Sequence, residues 1–343
     1  MNAGPAVLAL LMAVASAVAA EPGAGATAAQ PATAESLRAR WDLPPRCTPF
    51  DPPRIADLKE ELRQTGYRLV IAIHPAAGAD ASTTPPKRHL FLVNADGTGL
   101  KQITSSPDQE ECTPRVAPDG KHFTYNYGDF LVDAATLKAR EYGGGYVWAP
   151  DSRRTAEFGK KGIVFTDIAT GEQAPPIRAE RKVSIVDLSH DGQWFIFEIR
   201  DYLGKQYTID FMSAAGGPIR KLPNHPIADG ECHPAFSPDG QWMCWNSGGS
   251  LSVRKFDPAL PDGTDGKIIT LPKEKLGQDP CGRWSHCGRY IAYTQIPHAG
   301  SWRVHSPICI VRLADAATIT ISPPGWVGHH WDYDWLPAEE KQN

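Results

Sequence analysis

The sequence predicts an all-β fold, a ring of six four-stranded blades of the β-propeller type, closed by its C-terminal strand. Three observations support this prediction. An apolar or aromatic residue followed by a small residue and a Pro-Asp-Gly-like turn recurs five times, in RVAPDG, VWAPDS, DLSHDG, AFSPDG and RWSHCG. The segments between these copies have the composition and turn spacing of strands. A C-terminal segment, HHWDYDWLP, carries part of the same motif.

The spacing of the motif fits one blade per copy. Measured at the apolar residue, successive copies are 32, 40, 48 and 48 residues apart, and each interval can hold about four short strands. The clearest unit reads PAFS, PDG, WMCWNS, GG, LSVRKF and KIITLP, and the next reads GRWS, RYIAYTQ, PICIVRL and TITIS. Asp and Gly tolerate the left-handed backbone of tight turns, and Pro presets φ at the first corner.

The first unit lacks an innermost strand with this turn. It contains RLVIAI, RHLFLV and LKQIT, whereas the C-terminal segment places Trp335 and Pro337 where Phe236 and Pro238 stand in AFSPDG. We therefore expect the C-terminal strand to complete the first blade, which removes the exposed sheet edges of an open array.

The remaining chain divides by composition. We expect a cleaved secretory signal over residues 1–20, because an apolar run ends in the small residues Val18 and Ala20. A disordered Ala/Pro-rich linker is expected over 21–45, an extension with one short helix (IADLKEELRQTGY) over 46–66, the propeller over 67–337 and a tail over 338–343. This organisation predicts a periplasmic or secreted protein.

Charge and cysteine content limit the partners. The formal net charge is −4 with both signs interspersed, which argues against nucleic acid and anionic membranes as partners. The N-terminal apolar run is too short and too Ala-rich for stable membrane insertion, and we expect a monomer. Seven cysteines in an exported chain suggest some disulfides, and the odd number leaves at least one thiol unpaired or bound to metal.

The segment LFLVNADGTGLKQIT, followed by a strand, a PDG turn and another strand, resembles the repeat of TolB-type propellers. The resemblance covers residues 68–337 and implies the TolB-like six-bladed fold. Prolyl oligopeptidases also contain propellers, but the sequence has no GxSxG nucleophile elbow, so we do not expect an enzyme of that class.

In such blades the loops before the innermost strands and the loops between the second and third strands open on one face, here called the front face. Its aromatic and charged residues suit a peptide or glycan, because rings stack on apolar surfaces and charges fix orientation. The candidate ligand-binding residues are Tyr127, Tyr202, Asn246, Arg283 and Trp302. Trp194, Trp242, Trp245 and Trp284 are expected to pack between blades instead.

A second candidate is the cluster Glu231-Cys232-His233. It aligns with Glu111-Cys112-Thr113, which favours an element of the repeat. The sequence requires no cofactor, but His233 and Glu231, with His330 or Asp332, offer ligands for Mn²⁺ or Zn²⁺. Alternatively, a structural zinc site would use Cys232, Cys281, Cys287 and His286.

The segment HPAFSPDG resembles part of the oligogalacturonate lyases, in which a His before this run helps bind a catalytic Mn²⁺. Two further ligand positions of that family correspond to Glu231 and Ala228 here. The resemblance implies β-elimination on a uronate, with Arg200 or Arg303 neutralising the carboxylate and His298, His305 or His330 removing the proton. The sequence therefore favours a binding protein, with a metal-dependent polysaccharide lyase as the alternative, and leaves open whether the chain is an enzyme.

Overall fold

The computed structural model describes residues 49–75, 87–179, 184–200, 207–222, 232–247, 250–259, 269–271, 281–295 and 306–338. These residues form one α-helix, one short 3₁₀ turn and 23 strands arranged in six sheets. The sheets are the blades of a six-bladed β-propeller, which confirms the predicted fold class.

The helix α1 spans Leu58–Thr65, inside the segment that was predicted to be helical. Asp57 caps its first turn, because the carboxylate accepts a hydrogen bond from the Glu60 amide at 2.8 Å. The helix ends at Gly66, which adopts a φ of 67°. Left-handed backbone at this position is the usual stop for a helix.

The first three blades contain the first ten strands of the chain, and blade 1 also contains the last strand. Blade 1 contains β1 (Arg68–Pro75), β2 (His89–Asn94), β3 (Lys101–Gln102) and β23 (Trp326–Leu336). Blade 2 contains β4 (Arg115–Val116), β5 (His122–Tyr125), β6 (Phe130–Asp133) and β7 (Ala139–Glu141). Blade 3 contains β8 (Val147–Trp148), β9 (Arg154–Gly159) and β10 (Gly162–Asp167), and isolated bridges pair β10 with Ile177 and Gln173.

The other three blades each have four antiparallel strands. Blade 4 contains β11 (Ser184–Leu188), β12 (Trp194–Arg200), β13 (Tyr207–Ser213) and β14 (Arg220–Lys221). Blade 5 contains β15 (Cys232–Phe236), β16 (Trp242–Ser247), β17 (Ser250–Lys255) and β18 (Ile269–Thr270). Blade 6 contains β19 (Arg283–Trp284), β20 (Tyr290–Thr294), β21 (Ile308–Arg312) and β22 (Ala317–Thr320).

The C-terminal strand closes the ring, as the sequence predicts. Strand β23 pairs antiparallel with β1 as the innermost strand of blade 1, with Trp335 opposite Leu69. The two ends of the propeller are therefore joined by a continuous ladder of backbone hydrogen bonds.

The hydrophobic core lies between neighbouring blades. Because strand residues alternate between the two faces of a sheet, β1 contributes to two interfaces. Leu69, Ile71 and Ile73 pack against blade 6, whereas Val70 and Ala72 pack against blade 2. Strand β1 is thus buried on both faces of blade 1.

Candidate functional site

The innermost strands of all six blades surround a central cavity of about 90 Å³, here called the channel. This volume is enough for several water molecules or one small ion. Because every blade contributes side chains, the channel lies on the axis of the propeller.

The repeat motif places two levels of side chains around this channel. The first motif residue of each blade forms one level: Arg115, Val147, Asp187, Ala235, Arg283 and Asp334. The fourth motif residue forms a second level, whose channel-lining members are Pro118, Pro150, His190, Pro238 and His286. The channel therefore holds two arginines and two aspartates at one level and two histidines at the other.

The two aspartates are committed to the backbone. Asp187 accepts hydrogen bonds from the Leu188 amide and, across the blade boundary, from the Phe236 amide, both at 2.9 Å. Asp334 repeats this arrangement with the amides of Trp335 at 2.9 Å and Val116 at 2.8 Å. Each carboxylate thus ties its own blade to the following one.

Tryptophans make the corresponding contact at three other boundaries. In each case the indole Nε1 donates a hydrogen bond to the backbone carbonyl of the first motif residue of the preceding blade. The bonds run from Trp148 to Arg115 at 2.9 Å, from Trp284 to Ala235 at 3.2 Å and from Trp335 to Arg283 at 2.9 Å. Trp284 thus lies between blades as expected from the sequence, and it is only 7% exposed.

The two guanidinium groups are buried in the channel. Burial, together with repulsion from Arg283, lowers the pKa of Arg115 to about 10, which leaves it protonated at neutral pH. Arg283 is 7% exposed, and no described protein group accepts a hydrogen bond from its Nε or Nη2. Burial raises the pKa of the Asp187 carboxyl, although the charge of Arg283 acts in the opposite direction.

The two histidines are neutral at physiological pH. Burial lowers the pKa of His190 to about 4, and the nearby His286 contributes to this shift. Burial also lowers the pKa of His286. The His286 Nε2 lies 3.1 Å from the Trp335 carbonyl, so this nitrogen carries the proton.

An aromatic pair lies where the channel meets the front face. Tyr127, between the second and third strands of blade 2, is 54% exposed, and its ring packs edge-to-face on Tyr146 at 5.8 Å. Tyr146 in turn lines the channel. Asn126 and Tyr127 adopt left-handed φ values of 50° and 57°, and a Cβ on the next residue, Gly128, would lie 2.1 Å from the Gly145 carbonyl oxygen. This tight packing holds Tyr127 at the mouth of the channel.

The structure places His233 against Glu198 of the preceding blade. The Glu198 carboxylate lies 3.3 Å from the His233 Nδ1 and accepts a hydrogen bond from the His233 amide at 3.1 Å. Thr113, the corresponding residue of blade 2, donates its amide to the Asp332 carboxylate at 3.2 Å. Both residues adopt left-handed backbone, with φ values of 62° and 51°. The Glu-Cys-x-Pro segment therefore behaves as a structural element of the repeat.

The other predicted site residues have varied locations. Asn246 is buried in β16, at 1% exposure, and Arg283 lies in the channel rather than on a front-face loop. Arg200 is the last residue of β12, and His330 lies within β23. The side chains of both residues are outside the described part of the structure. The residues that lie entirely outside it are Tyr202, Glu231, His298, Trp302, Arg303 and His305.

Five cysteines form no disulfide: Cys112, Cys244, Cys281, Cys287 and Cys309. The expected disulfides thus find no support among them, and the side chains of Cys47 and Cys232 lie outside the described part. No group of three His, Cys, Asp or Glu side chains within the described residues is arranged to hold a metal ion.

The sequence analysis missed four polar residues of the channel, Arg115, Asp187, His190 and Asp334, and named His286 only as a zinc ligand. A signal for them existed in the motif itself. Aligning the copies column by column shows charged residues in the first column and histidine in place of proline in the fourth.

The fold and the channel define this chain as a six-bladed β-propeller with a polar axis, and its fold is similar to that of TolB. TolB from Acinetobacter baumannii superposes with a TM-score of 0.58 at 16% identity, over 79% of this chain and 66% of that chain. An oligogalacturonate lyase in complex with manganese gives a TM-score of 0.47 at 13% identity, over 76% of this chain and 75% of that chain.

Among curated proteins, dipeptidyl-peptidase 5 from Porphyromonas gingivalis is 24% identical over 277 residues. The match covers 72% of this chain and 38% of the relative, so the chain spans less than half the length of that protein. No protein-family model matches the chain. No helix among the described residues is long and apolar enough to cross a membrane.

Proposed function

We propose that this chain is an exported binding protein that holds a peptide or glycan on its front face, at the mouth of the channel. The observation that carries the proposal is the exposed ring of Tyr127, supported by Tyr146. A large aromatic side chain on the surface costs little conformational entropy on binding and offers an apolar face with a polar hydroxyl.

The backbone around Tyr127 supports a binding role. Two consecutive residues in left-handed conformation are energetically unfavourable, and such strain persists mainly where function requires a side chain in a fixed position. Packing of Gly128 on Gly145 fixes the loop to the neighbouring blade, so the ring is held before a ligand arrives.

A peptide is the favoured ligand. The named relative in Porphyromonas gingivalis is a peptidase, and 72% of this chain matches 38% of it. We infer a shared capacity to hold a peptide on the propeller, without transferring the catalytic activity of the longer protein. Export follows from the apolar N-terminal run over residues 1–20, which predicts a periplasmic or secreted location.

The test is to screen the purified protein against a random heptapeptide library and a glycan array, and then to measure the affinity of the best ligand for three variants. Tyr127→Ala should weaken binding by about tenfold or more, whereas Tyr127→Phe should retain most of it. Leu100→Ala, which removes the other large exposed apolar side chain of the described residues, serves as the control and should have no effect. Absence of binding in both screens, or full binding by Tyr127→Ala, would refute the proposal.

The alternative, a metal-dependent uronide lyase, rests on the HPAFSPDG segment and has a separate test. The protein would be stripped of metal, reloaded with Mn²⁺ and incubated with pectate, alginate and ulvan fragments. A lyase would generate unsaturated uronides, detected by their ultraviolet absorbance, and a folded His233→Ala variant would lose this activity. Absence of product on every substrate would count against the alternative.

A further inference from the structure

The channel contains an arginine with two donor nitrogens that have no acceptor among the described residues. Arg283 is 7% exposed and lines the cavity, and its Nε and Nη2 have no hydrogen-bond partner among the described residues. No described carboxylate forms an ion pair with it. A buried polar group without a partner is costly, so a native structure usually supplies water or a ligand.

The two unpartnered nitrogens lie on the same edge of the guanidinium plane. Their N–H bonds are parallel and spaced to meet two oxygens of one carboxylate, phosphate or sulfate group. The free edge of Arg283 therefore has the geometry that proteins use to bind oxyanions in a bidentate manner.

The level of the channel that contains Arg283 holds two arginines and two aspartates. Arg115 lines the same cavity, and burial together with the charge of Arg283 lowers its pKa to about 10, although Asp334 and Asp187 act in the opposite direction. Each aspartate of the same level accepts one backbone amide on each of its two oxygens, and neither forms an ion pair with Arg283 in the described structure.

We propose that the channel binds one small oxyanion, either a carboxylate or an inorganic phosphate or sulfate, with two of its oxygens on the Nε and Nη2 of Arg283 and with Arg115 supplying a second positive charge. The cavity of about 90 Å³ limits the anion to a few heavy atoms. This site goes beyond the proposed front-face function and does not depend on it.

The experiment is a calorimetric titration of the full chain with acetate, phosphate and sulfate, each at the same ionic strength set with chloride. We expect one equivalent per chain for at least one anion. Acetate binding alone would identify a carboxylate ligand, and phosphate or sulfate binding alone would identify an inorganic one. Crystals soaked with selenate or bromoacetate would locate the anion at Arg283 by anomalous scattering.

Three variants make the test specific. Arg283→Met should reduce affinity by about tenfold or more, and Arg283→Lys, which keeps the charge but loses the parallel donors, should reduce it by about fivefold. Arg153→Met removes an exposed arginine of blade 3 and should bind as the wild type does.

Failure of all three anions to bind, or wild-type affinity in both Arg283 variants, would overturn the proposal. If Arg283→Met does not fold, the wild-type titration and Arg283→Lys decide the matter. Tyr127→Ala should leave anion binding unchanged, so failure here is distinguishable from failure of the front-face function.

Discussion

A single side chain joins the neighbouring innermost strands at five of the six blade boundaries. Where the first motif residue of a blade is aspartate, its carboxylate holds the backbone of the next blade, and the second motif residue there is Val116 or Phe236. Where that first residue is Arg or Ala, the next blade supplies a tryptophan that bonds back to its carbonyl. At the boundary between blades 3 and 4, the corresponding residues are Val147 and Leu188, whose apolar side chains cannot form either hydrogen bond.

The tryptophan contact predicts a specific loss of stability. In Trp335→Phe the ring is largely kept, but the Arg283 carbonyl loses its donor, so the free energy of unfolding should fall by about 1–3 kcal/mol. Trp326→Phe is the control, because the indole of Trp326 packs on Phe91 and makes no hydrogen bond within the described residues. Chemical denaturation would measure the free energy of unfolding of both variants. Equal decreases in the two variants would contradict the role assigned to the indole N–H of Trp335.

The neutral state of His190 predicts a pH dependence. The unfolded histidine binds a proton near pH 6.5, whereas the folded one does so only near pH 4, so the unfolded state holds more protons between these values. Stability should therefore fall as the pH decreases from about 7 to 4, by at most about 3 kcal/mol from this residue.

The measurement is urea denaturation across this pH range for the wild type and for His190→Gln. The variant should show a shallower loss of stability at acid pH, because it lacks the titrating group. His122→Gln, on β5 and away from the channel, should follow the wild-type profile. If the stability of His190→Gln depended on pH as that of the wild type does, His190 would not be the group responsible for the loss of stability at acid pH.

At the level of elements, the helix α1 is attached to blade 6 by a buried ion pair. Arg312, at 1% exposure, pairs with Glu61 of the helix and donates to the carbonyls of Ile55 at 2.6 Å and Ala56 at 2.9 Å. Asp315 also pairs with Arg312, at 2.8 Å. One guanidinium thus joins the N-terminal extension to the ring.

Breaking this pair should release the helix. Arg312→Met leaves the Glu61 carboxylate buried without its main partner, and a loss of about 3–5 kcal/mol is expected for such a change. Limited proteolysis should then cut near α1 while the blades remain resistant. The double variant Arg312→Met with Glu61→Met should recover part of the stability, and Lys59→Met on the exposed side of the helix should change little. Unchanged protease resistance would contradict the proposed attachment.

At the level of the whole molecule, the ring depends on its last strand. Strand β1 is buried on both faces, and β23 covers its inner edge and contributes the buried Tyr333 and Trp335. Without β23, the propeller would have an exposed and apolar sheet edge at this point.

A chain that ends at Gly325 should therefore fail to form a monomeric, cooperatively unfolding protein. A chain that ends at Ala338 retains all of β23 and should behave as the full chain does. Size-exclusion chromatography and thermal unfolding followed by circular dichroism would compare them. A cooperative melt of the shorter chain near the temperature of the longer one would show that closure is dispensable.

The sequence was sufficient for the fold because the repeat is local. Turn residues, strand periodicity and the HHWDYDWLP segment each indicate the local structure of their own part of the chain. Together they predict the closed ring. The channel was harder to predict, because its residues from different blades are between about 30 and 220 positions apart and become neighbours only when the ring closes. Arg283, which the sequence analysis placed on the front face, is buried beside the axis of the propeller.

The pairing of β23 with β1 also constrains how the protein is made. Blades 2 to 6 are each contiguous in the chain, so each can form as soon as its own strands have left the ribosome. Blade 1 cannot, because its innermost strand emerges only after all the strands of blades 2 to 6, and closing so long a loop is entropically unfavourable and slow. The first blade to be synthesised is consequently the last to be completed, and until then the chain remains an open arc that chaperones or proteases can reach.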